Sequence, residues 1–366
     1  MITPRERMLT TLSHQRPDRI PTTMHARNEV QRALVEHLGL CSFDEVMKHL
    51  GADLYADVEL SIETPRFTQA DKRTLEGDCP YAGRRFIFHD ERTFEDVWGV
   101  VRRVGSDGKY VEWISGPLKD SDDPSRYEFP SAADIGGEQQ LRREVQEAKQ
   151  SGMFVRSFIP NPYKVGWYLR GMENLLADYV GNPGYVRALY DRICLFYTQM
   201  LEAYTRAGVD MVGIEGDIAM QDRIIMGPQR WRAIDKPRLA AMIRACKRIN
   251  PDVYVFFHSD GDLTELMPDL IEIGFDVIDS MQPECMDILA IKREFGDRCT
   301  LHGCGSLQKV LPFGTPEECK AEVIGLIEQC GYNGGLVLRP SNMIGFDVPL
   351  ENIIAWFETA RDYKLS

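Results

Sequence analysis

Three short stretches bring together residues that can hold a cation or move a proton. His258-Ser259-Asp260-Gly261-Asp262 follows the apolar run Val253-Tyr254-Val255-Phe256-Phe257. A strand over that run delivers His258 to its end, and Gly261 permits a sharp turn into the next segment. An imidazole in that place can ligate a metal, shuttle a proton or donate a hydrogen bond to a substrate, while Asp262 stands where a helix N-cap belongs. Glu215-Gly216-Asp217 closes a second apolar run, Met211–Ile214. Two carboxylates on one rim can divide acid and base roles or offer oxygens to a cation. His302-Gly303-Cys304-Gly305 spaces an imidazole and a thiol for one ion, although its glycines equally suit the close approach of a substrate or a neighbouring loop. One reading is a divalent metal such as zinc held by His258, Glu215 and Cys304. The ordinary reading is helix caps, solvated acids and a buried thiol.

These residues need elements to position them. From Met153 onward apolar strand candidates at 153–159, 210–215, 253–258, 277–281, 299–302 and 335–339 alternate with helical stretches at 169–206, 228–248, 263–273, 286–295 and 315–330, followed by a last helix at 349–363. Adding Ile20–His25 and Ala52–Leu60 gives eight strand segments. Strands that alternate with helices pair in parallel, and eight units predict an α/β fold of the (β/α)8 TIM-barrel type, in one domain over residues 1–366. An open doubly wound sheet is the weaker alternative, since no Gly-x-Gly-x-x-Gly turn opens any of the helices. Short alternating runs near residues 74–113 predict an antiparallel β insertion, and the polar stretch 117–136 a surface loop. Thr3-Pro4-Arg5-Glu6 is the signature of a capped first helix reaching to about Ser13. Residues 28–50 read as two helices broken at Gly39.

A barrel of this kind builds its site at the C-terminal ends of the strands. The polar residues there are His25, Arg27, Asp57, Glu59, Asn161, Tyr163, Glu215, Asp217, Gln221, His258, Asp260, Gln282, His302, Cys304, Arg339, Ser341 and Asn342. Any one of them can be a capping group, but a set converging from several strands predicts a site. His258, Glu215, Asp217 and Asp57 are the candidates for chemistry. His25, Arg27, Gln221, Asp260, Gln282, His302, Arg339 and Asn342 are the candidates for holding substrate.

Composition narrows the partners. With 56 acidic against 43 basic residues the formal charge is −13, which disfavours a nucleic-acid surface. No apolar run approaches the ~18 residues of a membrane span. Nine cysteines without paired spacing fit reduced thiols in a cytoplasm better than a disulfide framework. A homodimer is the general expectation for a soluble oligomer.

Several stretches carry a family resemblance over nearly the whole chain. They are Arg5-Glu6-Arg7-Met8, Pro17-Asp18-Arg19-Ile20-Pro21, Asp96-Val97-Trp98-Gly99-Val100, Gly116-Pro117-Leu118, Phe257-His258-Ser259-Asp260-Gly261, Leu311-Pro312-Phe313-Gly314-Thr315-Pro316-Glu317-Glu318, Gly334-Gly335 and Pro349-Leu350-Glu351-Asn352-Ile353. In these the chain resembles the uroporphyrinogen decarboxylase superfamily, and its methyltransferase-like branch more than the decarboxylases. The decarboxylases hold substrate carboxylates with an N-terminal Met-Arg-Gln-Ala-Gly-Arg element. Here that strand reads Met24-His25-Ala26-Arg27-Asn28, so of its arginines Arg27 alone has a counterpart. Asp57 resembles the decarboxylases' catalytic aspartate. An octacarboxylate needs several fixed cations, so the resemblance argues against uroporphyrinogen as substrate.

The other branch moves methyl groups between small compounds, a cobalamin protein and a thiol. Its thiol-activating members bind zinc through His-x-Cys and a later cysteine, where this chain has His258-x-Asp260 and Ser341. The resemblance implies transfer of a methyl group from a small O- or N-methylated substrate to a corrinoid on a partner protein. Its metal would be a single divalent ion bound through His258 and carboxylate oxygen. The alternatives are a metal-free decarboxylase of another carboxylated substrate, with Arg27 and Arg339 holding carboxylates, and a non-catalytic small-molecule-binding barrel.

Overall fold

The computed structural model describes residues 2–77, 79 and 81–365. Seven strands form one curled parallel sheet in the order Tyr55–Asp57, Phe154–Pro160, Met211–Glu215, Tyr254–His258, Val277–Asp279, Thr300–His302 and Leu336–Val337. The six segments from Met153 onward are thus neighbours in a single sheet, as their alternation with helices requires. Ile20–His25 is not a regular strand. It runs between the two edges of the sheet, where the Asp53 N–H donates to Thr22 O (2.7 Å), the Leu338 N–H to Pro21 O and the Thr23 N–H to Leu338 O (both 2.9 Å). Pro21 has no N–H to extend this ladder, and single bridges at Thr22–Leu338 and Ala26–Ile344 replace it.

Successive side chains point to opposite faces of each strand, and the apolar residues sort accordingly. Val155, Val212, Val255, Ile278, Leu301 and Leu336 join the large cluster shared with the helices. Phe154, Met211, Phe256, Val277 and Val337 form a separate cluster inside the curl, with Tyr55 and Phe158 against it. Met8 and Leu12 of the first helix, Pro4–Leu12, belong to the same inner cluster. That helix carries the expected capping box between Thr3 and Glu6, and Arg5 ties it to Asp210 through Nε (3.0 Å) and Nη2 (2.9 Å). The inner space is therefore packed from the first helix upward, and polar side chains begin only near the strands' C-terminal ends.

Gly213 shows how tight this packing is. A Cβ at Gly213 would lie 2.1 Å from Cδ1 of Phe158 on the neighbouring strand. The Phe158 ring thus covers the Gly213 backbone and meets Phe256 edge-on at 5.5 Å, which gives the site an aromatic floor.

The expected antiparallel insertion is present as a five-stranded meander, Lys72–Thr74, Arg85–Phe88, Thr93–Glu95, Val101–Val104 and Val111–Ser115. It has its own small core around Leu75, Phe86 and Phe94. The following stretch is more ordered than a plain loop: it contains 3₁₀ turns at Pro124–Arg126 and Ala132–Asp134, and Ile135–Gly136 pairs with Ser61–Ile62. The stretch 169–206, expected to form two helices, does so as Met172–Gly181 and Pro183–Ala207, and a further helix, Pro162–Arg170, precedes it. Gly171, with φ +86°, and Pro183 make the breaks. No helix among the described residues is long and apolar enough to cross a membrane.

Gly213→Ala should destabilise the fold by about 1–3 kcal/mol through overpacking against Phe158. In urea unfolding, the double variant Gly213→Ala/Phe158→Leu should lose less stability than the two single variants combined. Strict additivity would show that the two residues do not share this contact.

Candidate active site

The inward residues at the C-terminal end converge on one carboxylate, that of Asp279. Its strand pairs with the His258 strand so that Asp279 lies beside His258, and His258 lies beside Glu215 on the next strand. Asp279 Oδ2 takes the Nδ1–H of His258 at 2.5 Å, and Oδ1 takes the Nδ1–H of His302 at 2.6 Å. Nη2 of Arg339 donates to both oxygens (2.9 and 2.8 Å). A Cβ at Gly303, where φ is +74°, would sit 2.4 Å from Asp279 Oδ1, so only glycine lets this carboxylate lie against the turn after His302.

The charges follow from this arrangement. Asp279 is fully buried, which opposes ionisation, yet Arg339 and the two histidines hold its pKa well below the usual carboxylate range. For His258 burial opposes the proton, and the hydrogen bond and charge of Asp279, with Asp260 and Glu215 adding to them, raise its pKa to about 9. Burial prevails at His302, whose pKa is lowered with Arg339 repelling the proton. His25 opens to solvent, but surrounding protein desolvates its ring, and with Arg339 and Arg156 nearby its pKa falls to about 4. One imidazolium and two neutral imidazoles therefore share the site near neutral pH.

A second group lies at the rim. With Nδ1 held by Asp279, His258 presents Nε2 towards Asp217 Oδ1 at 3.8 Å. Ligand atoms of Asp217, His258 and Asp260 all lie within 4.8 Å of one another, and among the described residues they form the one group of three or more His, Cys, Asp or Glu side chains with that spacing. The Asp260 N–H donates to Asp217 Oδ1 (3.1 Å), and the Asn342 amide donates to Asp260 Oδ2. Asp260 Oδ1 is buried with no partner. Glu215 stands beside this group, and its carboxylate makes no hydrogen bond among the described residues. Burial raises its pKa, with His258 and Arg156 pulling the other way.

The remaining candidates divide. Gln282 Oε1 accepts the Gly261 N–H at 2.6 Å, so this residue shapes the turn after His258. Gln221 is exposed and donates to Gln308 at 3.2 Å. Arg27 lies over the ring of Tyr110, at the tip of the meander, 5.3 Å from its centroid. Asp57 forms a two-pronged ion pair with Arg156 (2.8 and 2.9 Å). Cys304 is fully buried, with its pKa raised well above the usual thiol range by burial and Cys330 nearby. It does not join His258, and Glu215 lies outside the group of three. The oxygens that accompany His258 belong to Asp217 and Asp260.

Two residues at the centre of this geometry escaped the sequence reading. Asp279 was hidden because the apolar run through Met281 placed the strand end at Gln282, whereas the strand stops at Asp279. Arg156 left a clearer signal, a charge alternating with Phe154 and Phe158 inside an apolar strand. Its guanidinium stacks on Tyr55 at 3.6 Å.

The fold is a TIM-like α/β barrel with its polar groups gathered at the strand ends. The chain belongs to the family described as uroporphyrinogen decarboxylase (URO-D), whose pattern matches residues 94–363. No curated protein matches the chain. Among solved structures it is similar to a methyltransferase from Methanosarcina mazei, with 16% identity, a TM-score of 0.69 and 98% of each chain covered. A more distant likeness is to a B12-independent methionine synthase from Shewanella sp. W3-18-1, with 10% identity, a TM-score of 0.42, and 61% of this chain and 64% of that one covered.

Replacing Asp279 with Asn removes the anion that keeps His258 protonated. In EDTA-treated protein, the His258 midpoint followed by NMR should fall from about 9 to near or below the unperturbed 6.5. Because the raised pKa of His258 stabilises the fold below 6.5 and this contribution disappears as pH rises through about 9, the stability gap between wild type and Asp279→Asn should narrow across that window. An unchanged His258 midpoint would sink the assignment.

Proposed function

We propose that the protein is a methyltransferase that removes the methyl group of a small, uncharged O-methyl compound and passes it to a corrinoid on a partner protein. The observation that carries this reading is Glu215, a half-buried carboxyl without a hydrogen-bond partner among the described residues, beside the Asp217–His258–Asp260 group. Family membership and the fold shared with a methyltransferase support it.

A methyl ether is hard to cleave because its leaving group is a strongly basic alkoxide. A neutral carboxylic acid at Glu215, favoured by its raised pKa, is suited to protonate that oxygen. The C–O bond breaks with its electron pair remaining on oxygen, the methyl group goes to the acceptor, and the Glu215 proton completes the alcohol. Water then reprotonates Glu215. Asp217, His258 and Asp260 would hold one divalent cation once His258 gives up its Nε2 proton to bulk water: Nδ1 stays held by Asp279, Nε2 faces the carboxylates, and Asp260 Oδ1 lacks a partner. Such a cation would supply Lewis-acid polarisation of the leaving oxygen. The reduced corrinoid would supply the methyl acceptor. Asp279 keeps His258 in one tautomer and orientation, and the Phe158–Phe256 floor gives an apolar base for the substrate.

The decarboxylase alternative needs free guanidiniums for carboxylates. Arg156 is paired with Asp57 and Arg339 with Asp279, while Arg27 is stacked on Tyr110. The rim presents further carboxylates at Glu215, Asp217 and Asp260, which would repel an anionic substrate.

Purified protein should consume reduced cobalamin in the presence of methyl ethers and release no CO2 from uroporphyrinogen under anaerobic conditions. Glu215→Gln should lower kcat by about 10²- to 10⁴-fold. Its rate should also lack the alkaline decline expected of wild type, where the acid is used up as pH rises through the raised Glu215 pKa. Elemental analysis should find bound metal lost in His258→Ala and Asp217→Asn but retained in Cys304→Ala. Steady CO2 release without methyl transfer would overturn the proposal, and so would metal loss confined to the Cys304 variant.

A further inference from the structure

A cavity of about 270 Å³ lies between the meander and the 117–136 segment. Two stretches that carry the family resemblance line it, Asp96-Val97-Trp98-Gly99 and Pro117, and the strand-end site does not use them. Its apolar wall is formed by Phe67, Ile87, Trp98, Pro117 and Phe129. Trp98 is rigidly backed, stacked on Tyr197 at 5.6 Å and edge-on to Phe196 at 5.4 Å.

Glu95 also lines this cavity, and its side chain is only 5% exposed. Buried carboxylates require cations or several hydrogen bonds. The partners of Glu95 are two surface side chains, Arg66 at 2.6 Å and His89 at 3.1 Å, with 71% and 45% of their side chains exposed. Arg66 is thus a long, solvent-reaching arm laid onto a buried anion at the cavity wall. Asp96, Glu128 and Asp134 complete the acidic lining, against Arg66 as the one Lys or Arg among the lining residues. Asp96 is already bound to Arg102 and to the Trp98 and Val100 N–H groups, so Glu95 is the anion whose counter-ion is exchangeable.

We propose that this cavity is a binding site for a small amphipathic cation, an arylalkyl or alkyl ammonium, whose charged group takes the place of Arg66 on Glu95 and whose apolar part lies along Trp98 and Phe129. Negative charge around the cavity excludes carboxylates and phosphates of the same size. The ammonium gains a desolvated ion pair and an aromatic wall, the combination that favours cations at aromatic faces. The site is separate from the methyl-transfer reading and stands without it.

Benzylammonium is the probe, with benzoate and benzyl alcohol as shape-matched controls, followed by calorimetry and tryptophan fluorescence on the full chain. Wild type should bind benzylammonium at millimolar concentration or better, with a fluorescence change that Trp98→Phe abolishes. Arg66→Ala removes the competing cation while His89 stays beside Glu95, and in the folded fraction should tighten binding by about two- to five-fold. Glu95→Gln should weaken it at least about tenfold. If that variant fails to fold, the Arg66→Ala result decides. Absence of binding, equal affinity for benzoate, weaker binding in Arg66→Ala, or a fluorescence change that survives Trp98→Phe would each overturn the proposal.

Discussion

The active end of the barrel depends on one buried carboxylate. Asp279 is 1% exposed, and an ion in that position costs several kcal/mol unless its lone pairs are filled by well-placed donors. Three other strands or strand ends supply them, through His258, His302 and Arg339. The requirement runs in both directions: the carboxylate needs its donors, and each donor is oriented by the carboxylate. Moving any of these strands by one residue would turn its donor to the opposite face of the sheet. The absence of a side chain at Gly303 belongs to the same constraint, because a Cβ there would meet Asp279.

From this anchor the polarity of the site is layered. Below it the interior is apolar and aromatic, closed at the far end by Met8 and Leu12 of the first helix. At its level the charges are paired, Asp279 with Arg339 and Asp57 with Arg156. Above it lie the carboxylates of Glu215, Asp217 and Asp260, which have no guanidinium partner. Bidentate pairing in the middle layer removes the groups that would otherwise recruit an anionic substrate. The unmatched carboxylates leave the rim suited to a metal ion or a proton-donating acid. On the proposed reading, this arrangement suits activation of a leaving group better than a grip on a polycarboxylate, within a family described by its decarboxylase.

The meander extends the molecule's chemistry beyond the barrel. Its tip meets the loops after the first and last strand segments, with Arg27 over Tyr110 and Lys109 over Phe346. Its inner surface, with the 117–136 segment, encloses the Glu95 cavity. A five-stranded insertion that only braced the barrel would not need a buried carboxylate with displaceable partners. The ion pair of Arg66 with Glu95 differs from those of Asp279 in that its cation is mostly in water, so another cation can reach Glu95 in its place.

The local pattern of the sequence determined the parallel sheet, the helices between its strands and the placing of His258, Glu215 and Asp217 at strand ends. Apolar alternation and glycine or proline punctuation encode these features within a few residues of each other. The same pattern sufficed for the antiparallel texture of the insertion. Tertiary structure alone decided which polar groups meet. Asp57 and Arg156 are 99 positions apart, and Asp279 reaches Arg339 across 60, so their pairing depends on strand register and side-chain reach. The shift from Gln282 to Asp279 came from where hydrogen bonding to the neighbouring strands stops, which an apolar run extending to Met281 does not reveal. Cys304 looked like a partner for His302 by spacing, but the turn at Gly303 leads it into the packed core beside Cys330 and Lys292. Short-range spacing specifies the face a side chain takes within a strand, while the partner it finds there is set by chain segments far away in sequence.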